Sequence, residues 1–161
     1  MKKLFLVLLI LVYVLPLQCF AEEMFSTKYF TFYGEQTQEQ VVEKLGMEPD
    51  KLYTKVMDML NLHIYNLNVE IIMFNNQEEL SQKAQLLTGE EFRERSFYLH
   101  SAGTIYISYP DMTAGILAHE MTHALLCSYF VNRPSIEMQE ILCGYVEYKI
   151  KNMILPEPFN F

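Results

Sequence analysis

A chain of 161 residues carrying 12 Lys and Arg against 20 Asp and Glu fits one compact domain and leaves little room for a second. Its net charge of −8, with no clustered basic stretch, argues against nucleic acid or an anionic lipid surface as partner, because both modes of binding rest on Lys and Arg. Repeats and low-complexity segments are absent.

Residues 1–21 read as a signal peptide rather than as part of the fold. Lys2 and Lys3 form a positive n-region, and Leu4 to Leu17 form an apolar run interrupted by Tyr13 and Pro16. Cys19-Phe20-Ala21 then sets small residues where a signal peptidase cuts. The run is short for a membrane span and ends at Glu22 and Glu23. The expectation is an exported chain, secreted or periplasmic, that starts at Glu22 and keeps no stable membrane span; an uncleaved anchor is the rival reading. Without Lys2 and Lys3 the net charge becomes about −10. Cys19 leaves with the signal, and Cys127 and Cys143 remain for an oxidising compartment.

Residues 22–161 form the predicted domain. Residues 27–33 are aromatic and β-branched and predict a strand ended by Gly34. Thr37 is a candidate cap for a helix through Leu45, stopped by Gly46. Pro49 suits the first turn of the next helix, in which Leu52, Val56, Met59, Leu60 and His63 follow at helical spacing. The apolar run 68–74 predicts a buried central strand. Asn75 or Asn76 caps a helix over 77–87, closed by Gly89. Residues 96–108 predict two strands meeting at Ser101-Ala102-Gly103. A long helix over 112–130 opens at Pro110-Asp111-Met112-Thr113, and a last one runs from about Pro134 to Asn152 before Pro156 and Pro158 forbid continuation. The order β-α-α-β-α-β-β-α-α predicts an α+β domain, a small mixed sheet packed on helices.

The long helix carries His119-Glu120-Met121-Thr122-His123. Two histidines four apart lie on one helix face, so both imidazoles reach a single metal ion, and the glutamate beside the first is placed to act on a metal-bound water. A catalytic zinc needs a third protein ligand and an open position. The metzincin spacing is excluded, because Leu126 and Tyr129 stand where it requires Gly and His. No histidine follows His123, which leaves Glu137, Glu140, Glu147 and Glu157 as downstream carboxylates.

Residues 104–126 (TIYISYPDMTAGILAHEMTHALL) and 134–148 (PSIEMQEILCGYVEY) resemble the gluzincin metallopeptidases, above all the minigluzincin and peptidase-MA-like group. The resemblance implies an edge strand before the HExxH helix, here Thr104–Ser108, and a following glutamate helix that supplies the third ligand at Glu140. It implies Zn2+ held by His119, His123 and Glu140, and a peptide or protein substrate hydrolysed by a zinc-activated water with Glu120 as general base. Two positions depart from the pattern: Ile141 replaces the small residue after the ligand, and Gly144 replaces the second carboxylate, which orients a ligating histidine. The stripe Ile136, Glu140, Cys143, Gly144 and Glu147 is read as facing the HExxH helix, with Gly144 allowing close approach. That register holds Cys127 and Cys143 too far apart along the helix axis for a disulfide. Tyr129, Tyr145 and Tyr148 on the two metal helices, and His100 beside the edge strand, are the candidates to stabilise a transition state, with ordinary packing for the tyrosines and an exposed or hydrogen-bonded role for His100 as the rival readings; His63 is read as structural. A catalytically silent zinc-binding or interaction protein that keeps the fold is the alternative to a peptidase.

Overall fold

The computed structural model describes residues 23–154. The predicted signal segment, and residues 155–161 with Pro156, Glu157 and Pro158, lie outside the described residues. Five strands and five helices follow in the order β1 (Glu23–Ser26), β2 (Phe30–Tyr33), α1 (Gln38–Leu45), α2 (Pro49–Leu60), β3 (Val69–Phe74), α3 (Gln77–Thr88), β4 (Ser96–Leu99), β5 (Thr104–Ser108), α4 (Ala114–Tyr129) and α5 (Ile136–Ile154).

The predicted helices start where their caps stand. Thr37 forms a capping box with Gln40, Asn76 accepts from Glu79 N, and Thr113 accepts from Ile116 N. Residues 27–33 do not form one strand. The chain turns between β1 and β2, where Thr27 N donates to Phe30 O at 2.8 Å. Asp50, in the first turn of α2, secures that turn by accepting from Thr27 Oγ1 at 2.7 Å and Lys28 N at 3.0 Å. An anchor from so distant a position leaves no local trace in the sequence. Asp50→Ala is expected to lower unfolding free energy by about 2 kcal/mol, since both bonds end on a charged acceptor. Urea denaturation checks this, and an unchanged midpoint would show that the anchor contributes nothing.

The sheet order is β1-β2-β3-β5-β4. Strands β2, β3 and β5 are parallel, and the outer strands β1 and β4 are antiparallel to their neighbours. The fold is α+β with a mixed sheet on helices. Its sheet edge near the long helix differs from the expectation. Thr104–Ser108 is interior, paired with β3 on one side and β4 on the other, and all five of its residues are buried. The free edge is β4, whose four residues are all half-buried. A strand as apolar and β-branched as β5 is stable with both faces covered, whereas the shorter β4 tolerates an open side.

Ile71 and Met73 of β3 and Ile105 and Ile107 of β5 enter a core shared with Leu52 and Val56 of α2 and Leu117, Met121 and Leu125 of α4. Tyr106 alternates away from Ile105 and Ile107 and stacks on Phe97 of β4 with ring centres 4.8 Å apart. Helix α3 contacts β3 and β5 and buries Leu80 and Ala84.

Helices α4 and α5 pack antiparallel, bringing Gly115 to Glu147 and Cys127 to Gln139. The close approach occurs at Gly115 rather than at Gly144. A Cβ on Gly115 would lie 3.4 Å from Glu147 Cγ and O, while one on Gly144 would meet nothing within 4 Å among the described residues. The face that α5 buries is Gln139, Cys143, Val146 and Ile150, so Gly144 is turned outward, and Ile136, on the line of Cys143 and Ile150, is exposed at the helix start. Among the described residues no helix is long and apolar enough to cross a membrane.

Candidate metal centre and cleft

Helix α4 holds His119 and His123 one turn apart on the flank facing α5, both half-buried, with ring centres 5.2 Å apart. Each ring is held at one nitrogen and free to bind at the other. His119 Nδ1 lies 3.2 Å from Glu147 Oε2, and His123 Nδ1 lies 3.2 Å from Gln139 Oε1. Gln139 Nε2 itself donates to Pro134 O at 2.9 Å, which fixes the amide so that its oxygen faces the ring. Both partners of Nδ1 are therefore acceptors. A metal bound at Nε2 would leave the Nδ1 proton of each histidine facing one of these acceptors.

Those two Nε2 atoms converge on Glu140. His119 Nε2 is 3.4 Å from Glu140 Oε2, and His123 Nε2 is 3.2 Å from Glu140 Oε1. Donors about 2.0–2.2 Å from a tetrahedral zinc are separated from one another by about 3.3–3.5 Å. The spacing and the His, His, carboxylate chemistry both suit such an ion. Sequence spacing left four carboxylates open, and the fold separates three of them. Glu140 faces the Nε2 atoms, Glu147 holds His119 from behind, and Glu137 is exposed in the first turn of α5.

Glu147 thus supplies the orienting carboxylate that Gly144 lacks, one helical turn later. Gln139 serves His123 in the same way. Neither role is visible in the motif, although Glu147 lies on the same side of the helix as Glu140. Cys143 is a further donor that the sequence reading did not weigh: its Sγ and one ring nitrogen of each histidine lie within 4.8 Å of one another. Burial, reinforced by the nearby Glu140 and Glu120 carboxylates, pushes its thiol pKa well up. Cys127 and Cys143 are both free thiols, and Cys127 Sγ donates to Gln139 Oε1 at 3.7 Å.

Glu120 is buried beside the histidines and accepts from Ser96 Oγ on β4 at 2.7 Å. Burial raises its pKa, opposed by the Ser96 hydrogen bond and by His119 and His123. A cleft of about 510 Å³ opens here. Ser96, Phe97 and Tyr98 of β4 form one wall, and Glu140 and Glu147 of α5 lie among the lining residues with His119, Glu120 and His123 of α4.

The secondary candidates stand apart. Tyr129, Tyr145 and Tyr148 are exposed rather than packed. His63 follows the end of α2 and stacks on Tyr65 at 6.1 Å instead of joining the core. His100 is exposed in the turn after β4. No protein-family model, curated protein or solved structure matches this chain.

Proposed function

We propose that the chain is an exported zinc metallopeptidase of the gluzincin type, with His119, His123 and Glu140 as metal ligands and Glu120 as general base. The observation that carries this reading is the approach of His119 Nε2 and His123 Nε2 to the two oxygens of the Glu140 carboxylate, at 3.4 Å and 3.2 Å, each a separation that suits two ligands of one zinc. When bound, zinc supplies a Lewis acid for the scissile carbonyl and lowers the pKa of a water to about 7. Glu120 accepts that water's proton on its carboxylate and returns it to the leaving amine. Its upward-shifted pKa suits a group that must hold the proton between the two steps. Ser96 keeps the Glu120 carboxylate turned into the cleft, while Glu147 and Gln139 keep the imidazoles aimed. An extended peptide adds as a strand to the open side of β4, directly above the catalytic groups.

Metal content and peptide hydrolysis of the purified chain test the proposal together. One zinc per chain, and cleavage of a peptide library that stops on removal of the metal with 1,10-phenanthroline and returns with zinc, is the expected result. No zinc after refilling would overturn the proposal. One zinc without cleavage would leave the catalytically silent zinc protein as the reading. Glu147→Gln is expected to weaken zinc about 10- to 100-fold, because the imidazole of His119 loses the charged acceptor that aligns it. Chelator competition measures that change, and an unchanged affinity would remove Glu147 from the site.

A further inference from the structure

Among the described residues, nothing covers the outer face of α5. Met138, Ile141, Tyr145 and Tyr148 are 49%, 59%, 48% and 65% exposed, and their spacing of three, four and three residues makes one stripe along the helix. It lies opposite the buried stripe of Gln139, Cys143, Val146 and Ile150. A contiguous patch of this kind marks an interaction surface.

We propose that this face pairs with the same face of a second copy of the chain, α5 against α5, antiparallel about a two-fold axis near Gly144. The charges beside the stripe indicate the partner and the direction. Glu137 precedes the first apolar residue of the stripe and Lys151 follows the last, on the same flank, with Gly144 midway between them. Both charges are exposed, and neither has a charged partner among the described residues. Antiparallel pairing sets Met138 against Tyr148 and Ile141 against Tyr145 of the other copy. The same alignment sets Glu137 against Lys151 twice, once on each side of the axis, and brings the two Gly144 residues together. A parallel pairing leaves both charges without an opposite partner.

Gly144 supports the same axis. A glycine inside a helix costs about 1 kcal/mol relative to alanine, and among the described residues nothing lies within 4 Å of a Cβ placed there. Close contact between two helices at that point gives the missing side chain a structural reason. The surface is self-complementary, as a two-fold interface must be. The apolar stripe lies opposite the face that packs on α4, while Glu137, Gly144 and Lys151 form its edge toward α4, where Lys151 Cβ comes within 3.9 Å of a Cβ placed on Gly115.

Sedimentation velocity of the full chain across a concentration series tests the pairing, with zinc binding and far-ultraviolet circular dichroism as controls on the fold. The wild type is expected to dimerise. Glu137→Lys and Lys151→Glu should each weaken the dimer about tenfold, since each turns two attractions into two repulsions. The double exchange, Glu137→Lys with Lys151→Glu, should restore it. Tyr145→Ser should weaken association by more than tenfold while leaving the circular dichroism unchanged. A wild type that stays monomeric overturns the proposal, whether its apolar face is then found to bind phosphatidylcholine vesicles or to be covered by residues 155–161. A dimer indifferent to both charge reversals, or one that the double exchange fails to restore, overturns the antiparallel arrangement.

Discussion

Glu120→Gln is expected to lower peptide hydrolysis by about 10³-fold while one zinc per chain stays bound. General acid–base groups typically contribute about 10²- to 10⁴-fold, and here one residue would serve both proton transfers. Glutamine has the size of glutamate, so the buried site accepts it without a cavity, and its amide can retain the hydrogen bond from Ser96 Oγ. What it cannot do is take a proton at cleft pH. The appropriate readout is kcat at saturating peptide, with metal content measured on the same preparation. Full activity in this variant would remove Glu120 from the mechanism. Loss of zinc would show instead that Glu120 belongs to the metal site itself.

His123→Ala and Glu140→Ala should produce the opposite pattern, losing the ion and the activity together. Removing His123 leaves Gln139 Oε1 facing an empty space and leaves one imidazole to bind with Glu140. Two donors do not make a stable structural or catalytic zinc site, so affinity should fall by more than about 100-fold, beyond the 10- to 100-fold expected when only an orienting partner is lost. Glu140→Ala should weaken zinc to a similar extent without unfolding the chain, because Glu140 is exposed on α5. Cys143→Ser separates the two candidate third donors. Zinc retained in Cys143→Ser and lost in Glu140→Ala assigns the ligand to Glu140, and the reverse assigns it to the buried sulfur. Titration with a fluorescent zinc chelator measures all three.

The contrast between these variants follows from which parts of the site are local. His119, Glu120 and His123 were legible because a helix period alone puts them on one flank, and Glu140 stood out through the resemblance of the following helix to a glutamate helix. The assistants of these residues were not legible. Glu147 and Gln139 owe their roles to the rotation of α5, which is set by the burial of Val146 and Ile150 rather than by any charged residue. Ser96 reaches Glu120 only because β4 and not β5 ends the sheet, and strand order is a long-range property that two adjacent β-type segments do not reveal. The turn anchored by Asp50 escaped for a related reason, since its two bonds join segments more than twenty residues apart. The three exposed tyrosines were misread because aromatic residues in a small domain are most often packed. On α5 two of them form an outward stripe instead.

The meeting of α4 and α5 has a further consequence for the order in which the molecule assembles. The proposed zinc donors, with the Glu147 and Gln139 groups that aim them, all sit on two consecutive helices. Ser96, the free edge and the parallel pairing of β3 with β5 depend on contacts between remote segments, and contacts of that kind form more slowly than those of a helical hairpin. The ion trap can therefore close before the groove that would receive a peptide exists. For the proposed enzyme, metal capture is then expected to precede competence to cut, which zinc uptake timed against peptide cleavage during refolding measures.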